Sequence, residues 1–210
     1  DADRVGIAVK RKDGQWILLN GNQTASVLTY YLVNQWKLNN KLAGKEFIVK
    51  TIVTSELIKD IAERNGVKSY DVLTGFKFIA DKIEELEGKE VFIGGGEESY
   101  GYMIGDFVRD KDAVSTCAMI AEIAAWAADN GKTFFDVLVD LYKEYGFYKE
   151  DLLSMTKKGK SGNEEIKQMM VNYRSNPPKE IAGSKVVCIK DYQLQTSTNL
   201  QTGAVEDINL

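Results

Sequence analysis

Short apolar strands and amphipathic helices alternate along the middle of the chain, and this alternation most constrains its fold. The β-branched run "EFIVKTIVTS" precedes the helical "SELIKDIAERNG", "SYDVLTG" precedes "FKFIADKIEELEG", and "EVFIGGG" precedes a helix from about Asp112 to Asn130. Strands joined by helices can pair in parallel, because each helix carries the chain back across the sheet. The pattern predicts an α/β fold with a mixed, mostly parallel sheet flanked by helices on both faces.

The segments on either side of this region are less regular. "RVGIAV" and "QWILL" flank an Asp-Gly turn and are predicted to form a β-hairpin, and apolar spacing predicts a helix over 22–37 capped by Asn22 or Thr24. Beyond residue 131 we expect two helices, the second stopped by Pro177-Pro178, and then one strand in "KVVCIKDY" with a polar tail. Residues 16–132 are thus expected to form one α/β domain, and 133–210 a partial C-terminal extension.

Composition argues against several classes of function. The 210-residue chain carries 27 basic and 31 acidic side chains without a long block of one sign, so we expect no nucleic-acid partner. It contains no histidine, which excludes from this chain a Ser-His-Asp triad or a His-ligated zinc site. Residues 114–128 are the most apolar, but this window is shorter than the roughly 20 residues that span a bilayer. It is predicted to be a buried helix, and no membrane association is expected.

The two cysteines provide an expectation about the compartment. Cys117 lies in the apolar helix and Cys188 in a strand-like segment. Both are expected to be small buried residues of a reduced protein, which favours a cytoplasmic location.

A candidate ligand site follows two of the predicted strands, in "LTGFK" and "GGGEES". The carboxyl ends of parallel strands meet at one edge of a sheet, where open α/β folds bind ligands. Gly94, Gly95 and Gly96 are expected to let the backbone approach a ligand, while Glu97 and Ser99 point to the same side and form a clamp for vicinal sugar hydroxyls. The alternative is a strand-to-helix turn with solvated carboxylates.

Charged residues near this site suggest two further ligands. Arg109 and Lys111 precede a helix start near Asp112, where cations and free backbone N–H groups suit a phosphate; the alternative is an exposed charge run. Asp1 and Asp3, followed by Arg4 in "DADR", alternate in the way that suits Mg²⁺; here the alternative is a structural role.

The motifs "DADRVGIAV", "TGFKFI", "GGGEESYGY" and "VRDKDAV" together, in this order, resemble the α-D-phosphohexomutase superfamily of phosphoglucomutases and phosphomannomutases, with the nearest likeness to the Bacillus-like bacterial branch. The resemblance implies that residues 1–15 end domain II with part of its metal loop. It also implies that 16–132 form the sugar-binding domain III, and that 133–210 link it to a truncated domain IV.

The same resemblance assigns roles to the candidate residues. Asp1 and Asp3 match two of three metal-loop aspartates that bind Mg²⁺, so the site would be incomplete here. Arg4 matches the closing arginine of that loop and is expected, with Lys111, to be a catalytic residue. Glu97 and Ser99 match the pair that grips the sugar, and Thr74 and Gly75 the neighbouring turn that touches substrate. Lys111 matches a lysine that assists proton transfer or stabilises charge on the reacting oxygen, and Arg109 would support a phosphate.

The implied activity of the intact enzyme is the interconversion of hexose 1-phosphate and hexose 6-phosphate through an enzyme phosphoserine and a bisphosphorylated sugar. Glucose 1-phosphate, glucose 6-phosphate, mannose phosphates and glucose 1,6-bisphosphate are the expected partners. The phosphoserine loop and the C-terminal phosphate-binding loop are absent from this sequence, so we expect it to be a fragment without activity of its own. Two alternatives remain open: a non-catalytic sugar-phosphate-binding α/β module, and a structural or protein-interaction domain.

Overall fold

The computed structural model describes residues 2–150, 154–208 and 210, and the chain divides into two compact units, 1–150 and 151–210. The described part of the first unit contains β1 (Ile7–Lys10), β2 (Trp16–Leu19), α1 (Gly21–Leu38), β3 (Glu46–Thr51), α2 (Glu56–Arg64), β4 (Lys68–Val72), α3 (Phe76–Leu86), β5 (Val91–Gly96), β6 (Tyr102–Ile104), α4 (Ala113–Asp129) and α5 (Phe134–Tyr145).

A four-stranded sheet of order β4-β3-β5-β6 forms the centre of the first unit. Strand β3 pairs in parallel with β4 and β5, and β6 returns antiparallel to β5. Every residue of β3 is buried, as expected of a central strand covered on both faces. The mostly parallel α/β fold is therefore confirmed, whereas β6 was not predicted, because its three residues are too short to show an alternating pattern.

Helices cover both faces of this sheet, and alternate residues of β3 therefore contribute to two different cores. Ile48 belongs to the larger core, which includes residues of α1, α2, α4 and α5. Phe47 and Val49 face the smaller core, which they share with Ile79 and Ile83 of α3. The two-residue period of the strand thus assigns each helix to one face.

The capping of the first helix differs from the prediction. Asn20, not Asn22 or Thr24, is the N-cap: its side chain accepts from Gln23 N, and the Gln23 side chain accepts from Asn20 N. Asn22 instead accepts a hydrogen bond from Ser55 N at 2.9 Å, and Thr24 is fully buried. The capping box starts the helix earlier than apolar periodicity alone suggests.

Strands β1 and β2 form the predicted antiparallel hairpin, and Gly14 in its turn has φ +85°. Helix α5 lies in the first unit, where Val137, Leu138 and Leu141 are buried, although residues 133–210 were expected to form the C-terminal extension. The apolar face of α5 packs against elements far back in the chain, and a linear reading of the sequence does not reveal such a contact.

Two predictions of burial are wrong. Helix α4 was predicted to be buried, but Val114 is 70% exposed, and the helix buries only Ala113, Thr116, Ile123 and Ala127. Cys117 and Cys188 are free thiols and both are exposed. Hydrophobic composition gives no information on how much neighbouring structure covers a helix. Among the described residues, every helix is too short or too polar to cross a lipid bilayer.

The second unit contains more strands than predicted. Its described residues form α6 (Gly159–Ser175), β7 (Glu180–Ile181), β8 (Ser184–Lys185), β9 (Cys188–Asp191), β10 (Thr196–Asn199) and β11 (Val205–Asp207). Strands β9, β10 and β11 form an antiparallel sheet, and β7 and β8 pair separately. Only one of these strands was predicted, because the others are short and polar and lack an apolar face.

Candidate functional site

Three turns converge at one edge of the central sheet. Because β3, β4 and β5 run parallel, the turns that follow them, at 52–55, 73–75 and 97–101, lie at the same edge. The last of these, hereafter the 97–101 loop, connects β5 to the antiparallel β6. Both turns singled out from the sequence are therefore on the edge where open α/β folds bind ligands.

Glu97 and Ser99 are brought together within the 97–101 loop. Ser99 Oγ lies 3.3 Å from Glu97 Oε2, and the loop is closed by a 2.8 Å hydrogen bond from Glu97 N to Gly101 O. Glu97 is only 5% exposed, and Ser99 is half-buried. Tyr100 adopts φ +71°, which a non-glycine residue holds only where the surroundings enforce it. The loop thus presents a carboxylate and a hydroxyl side by side from a constrained backbone.

Lys111 packs directly against this loop. Its Nζ lies 3.2 Å from Asp3 Oδ1 and 3.3 Å from Asp110 Oδ1, and 5.0 Å from the centre of the Phe76 ring. A Cβ at Gly101 would lie 2.3 Å from the Lys111 Cδ, so a larger residue at this position would displace the Lys111 side chain. The Lys111 side chain therefore contacts Asp3, the start of α3 and the 97–101 loop. Phe76 and Gly101 were not predicted as site residues, although they lie within the quoted motifs "TGFKFI" and "GGGEESYGY".

The same contacts set the charge of Lys111. Burial lowers the pKa of Lys111, but hydrogen bonds with Asp3 and Asp110 outweigh this effect and raise the pKa above its ordinary value. The side chain is therefore an ammonium ion at neutral pH. Of the two roles expected for this lysine, the geometry favours stabilising negative charge over accepting a proton.

Arg109 lies in different surroundings. It forms a 2.8 Å ion pair with Glu87, which follows the C-terminal end of α3. The first amides of α4 are also already used: Ala113 N donates to Ala2 O at 3.0 Å, and Val114 N donates to the Asp112 side chain at 2.9 Å. The expectation of free N–H groups at this helix start is wrong, because the chain provides its own acceptors there.

The turn after β4 has an unusual backbone at Gly75. This residue stands at the N-cap position of α3 with φ +127°, a conformation that disfavours other residues, and its carbonyl accepts from Phe78 N at 3.0 Å. Thr74 is exposed beside it. Gly75 therefore directs α3 so that Phe76 reaches Lys111, while Thr74 stays open to solvent.

Gly94, Gly95 and Gly96 do not line an open cleft. A Cβ at Gly94 would lie 3.0 Å from Leu32 Cδ1, one at Gly95 2.3 Å from Val49 O, and one at Gly96 2.7 Å from Gly101 O. The expectation that these glycines make room for a ligand is wrong, because protein atoms occupy that space. They allow close packing of β5 against its neighbours.

The predicted metal-loop residues do not form a metal site within the described structure. Arg4 Nε lies 3.8 Å from Asp3 Oδ2, and Arg4 is largely exposed. Asp1 lies outside the described residues. No group of three or more Cys, Asp or Glu side chains that could hold a metal ion occurs in the described ranges. With Asp3 paired to Lys111, the described residues of this segment do not fit Mg²⁺ by themselves.

Comparison with known proteins identifies the family. Residues 20–145, more than half of the chain, match the family model described as phosphoglucomutase/phosphomannomutase, alpha/beta/alpha domain III. The chain belongs to this phosphoglucomutase/phosphomannomutase family. The matched range begins at the N-cap of α1 and ends with α5, so it contains all four strands of the central sheet and the 97–101 loop.

Curated relatives in this family are much longer than the chain. A phosphoglucomutase of Staphylococcus aureus strain N315 is 40% identical over 210 residues, which cover 100% of this chain and 37% of that protein. A phosphoglucomutase of strain MRSA252 is 42% identical over 193 residues, 91% of this chain and 34% of the relative. The chain therefore spans little more than a third of the length of these relatives.

Solved structures of the family share the fold. The Paramecium exocytosis-sensitive phosphoprotein pp63/parafusin, a phosphoglucomutase, in its open form, matches with a TM-score of 0.61 at 18% identity, over 99% of this chain and 33% of that one. A phosphoglucomutase/phosphomannomutase family protein of Burkholderia thailandensis matches with a TM-score of 0.50 at 21% identity, over 67% and 27%. At this level of identity the likeness concerns the fold alone.

Proposed function

We propose that this chain provides the sugar-recognition part of a phosphohexomutase that interconverts hexose 1-phosphate and hexose 6-phosphate. The observation that carries the proposal is that the 97–101 loop holds the buried Glu97 carboxylate beside the Ser99 hydroxyl, with the Lys111 side chain packed on Gly101 of the same loop. Membership of the phosphoglucomutase/phosphomannomutase family supports it. Glucose 1-phosphate, glucose 6-phosphate, mannose phosphates and glucose 1,6-bisphosphate are the proposed ligands.

Each group has a distinct part in the proposed site. The Glu97 carboxylate accepts from two neighbouring sugar hydroxyls, and Ser99 Oγ accepts or donates beside it. The Lys111 ammonium stabilises negative charge on a phosphate or on the reacting oxygen, since its pKa is raised. Thr74 and Gly75 contact the ligand from the turn after β4. Arg109 contributes to a phosphate only if it leaves its ion pair with Glu87.

In the whole enzyme the proposed reaction passes through an enzyme phosphoserine and a bisphosphorylated sugar. A ligand that is phosphorylated first at one end and then at the other must bind in two orientations. Hydroxyl recognition by Glu97 and Ser99 suits this requirement, because it does not depend on which end carries the transferable phosphate. Arg4 stays a proposed catalytic residue of the whole enzyme, and completion of a Mg²⁺ site with Asp1 and Asp3 requires ligands beyond the described residues.

The proposal includes an arrangement of domains within the longer protein. Residues 1–15 would end domain II, 16–132 form domain III, and 133–210 lead into domain IV. The family match over 20–145 supports the domain III assignment, and it also includes α5, which the bounds 16–132 leave out. A cytoplasmic location is part of the proposal, supported by the free thiols of Cys117 and Cys188, which are typical of a reducing compartment.

An NMR titration of the 210-residue chain with glucose 1-phosphate and mannose 1-phosphate tests the proposal. We expect saturable amide shifts confined to residues 74–77 and 94–111, and we expect no phosphoryl transfer by the chain alone. Shifts spread over both units, or none at millimolar ligand, would overturn the assignment of the site. Turnover without any added protein segment would overturn the proposal that this part only recognises the sugar.

Two variants separate sugar recognition from a merely structural role. Glu97→Ala and Ser99→Ala are expected to abolish the saturable shifts, while the unfolding temperature stays close to that of the parent chain. Glu84→Ala is the matched control, because Glu84 is an exposed carboxylate on α3 away from the 97–101 loop. Equal binding by all three variants would contradict the proposal.

A further inference from the structure

The second residue of the acidic pair Glu97-Glu98 has different partners from the first. Glu98 Oε2 lies 3.1 Å from Thr51 Oγ1 and 3.3 Å from Thr54 Oγ1, whereas Glu97 contacts Ser99. Thr51 and Thr54 are buried, and their hydroxyls are 2.7 Å apart. Glu98 therefore connects the loop after β5 to the turn after β3.

The number of hydroxyl protons limits how many hydrogen bonds Thr51, Thr54 and Glu98 can form together. Two threonine hydroxyls supply two protons, so only two of the three short oxygen–oxygen contacts are hydrogen bonds at one time. The two shortest form a chain in which Thr54 donates to Thr51 and Thr51 donates to Glu98. Each bond in such a chain polarises the next, and a carboxylate at its end is the favoured acceptor.

Thr51 ends β3, Thr54 lies in the turn that follows, and the buried Lys50 side chain stabilises this turn. Lys50, fully buried, lies 3.2 Å from Thr54 O through its Nζ and forms ion pairs with Glu56 at 3.1 Å and Asp71 at 2.9 Å. The ammonium thus joins the end of β4 to the turn after β3. Glu98 therefore contacts a turn that the buried Lys50 ammonium holds in place.

The backbone of Glu98 is held from the opposite side. A Cβ on Gly21, at the start of α1, would lie 1.8 Å from Glu98 O, so the loop packs on the bare backbone of α1. Tyr102 donates its hydroxyl proton to Gly21 O at 2.9 Å, and Val5 N donates to Tyr100 O at 3.0 Å. Contacts on both sides explain how Tyr100 keeps its positive φ.

We propose that Glu98 is a positioning residue, which holds the 97–101 loop through the Thr51–Thr54 chain so that Glu97 and Ser99 stay aligned for a sugar. The inference rests on the proposed function for its consequence in binding. Its structural part does not, because the loop would be held in the same way without a ligand. A hydrogen-bond acceptor at position 98 is the property that matters.

Hydrogen exchange of the ligand-free chain tests the structural part. The Glu97 and Val5 amides report on the loop, since they donate to Gly101 O and Tyr100 O. Glu98→Ala is expected to speed exchange at both amides about tenfold, the loss of one hydrogen bond to a charged group. Glu98→Gln, which keeps an acceptor oxygen, is expected to retain protection. The Val67 amide, which donates to Ala62 O within another part of the unit, serves as the internal control.

The variant pair Thr51→Val and Thr54→Val tests the same chain from the other side. Valine preserves the volume of a buried threonine but supplies no proton, so the double variant is expected to match Glu98→Ala at both loop amides. Unchanged exchange in Glu98→Ala, or equal acceleration in Glu98→Gln, would overturn the inference. Acceleration at the Val67 amide as well would also overturn it, since the effect would then be one of global stability.

Titration with glucose 1-phosphate then links positioning to binding. Affinity is expected to fall about tenfold in Glu98→Ala and to recover in Glu98→Gln. If the parent chain binds no glucose 1-phosphate, the proposed function fails while the exchange result still stands. If Glu98→Ala binds as tightly as the parent despite faster exchange, the loop is held by Glu98 but its order does not matter for the sugar, and the positioning role is overturned.

Discussion

The Lys111 ammonium and the Asp3 carboxylate form an ion pair, with 3.2 Å between Nζ and Oδ1. The pair joins the first described residues of the chain to the segment just before α4. Lys111 also rests on the backbone of Gly101, so the same side chain contacts the 97–101 loop. The Lys111 side chain thereby joins Asp3, more than a hundred residues earlier in the chain, to the 97–101 loop.

Lys111 is expected to stay protonated throughout the neutral range. Its pKa is raised, so the ion pair contributes stability below the lysine's unfolded pKa and loses it as the pH rises through the folded pKa. NMR titration of the Lys111 side chain should show no inflection between about pH 6 and 9, the range in which a general base must titrate. A midpoint inside that range would contradict the assignment of Lys111 as a charge-stabilising group.

Gly21→Ala is expected to destabilise the first unit strongly. The new methyl group would meet the backbone of Glu98 at 1.8 Å, and overpacking of this kind costs about 3 kcal/mol. Gly6→Ala is the matched control, because nothing lies within 4 Å of a Cβ at that position. Urea unfolding measures both. A similar loss in the two variants would indicate a general effect of glycine replacement.

Lys50→Met is expected to lower the free energy of unfolding by about 3–5 kcal/mol, because it leaves the mostly buried Asp71 carboxylate without its ammonium partner. Lys50 is fully buried and Asp71 is 17% exposed at the side chain. Lys59→Met provides the comparison: its ion pair with Glu63 is exposed and contributes at most about 1 kcal/mol. Chemical denaturation at pH 7 distinguishes them, and equal losses would show that burial does not determine the cost.

Asp136→Asn is expected to weaken the start of α5 in a pH-dependent way. The hydrogen bond from Thr133 N and further contacts with the Thr133 hydroxyl and Lys12 hold the pKa of Asp136 below its ordinary value, against the effect of burial. The stabilisation is therefore present above the unfolded pKa and lost as the pH falls through the folded pKa. The variant should cost about 1 kcal/mol at pH 7 and much less in acid. A cost that does not change with pH would contradict this origin.

Local patterns in the sequence determined much of the fold. The two-residue period of "EFIVKT" and the helical period of the segments between strands predict parallel β/α units, because apolar residues must face a common core. The same reasoning placed Glu97 and Ser99 on one side of their turn, where their side chains are 3.3 Å apart. Such relationships involve neighbours in the chain, so local geometry is sufficient to predict them.

Only the tertiary structure decided which distant side chains meet. It pairs Lys111 with Asp3 but Arg109 with Glu87, and it turns Glu98 toward Thr51, although Arg109 and Lys111 are two residues apart in sequence. Tertiary packing also determines which face of α4 is exposed and that α5 lies in the first unit. Each of these contacts depends on packing between elements that are far apart in the chain. The spacing of residues along one element does not show which distant element it will contact.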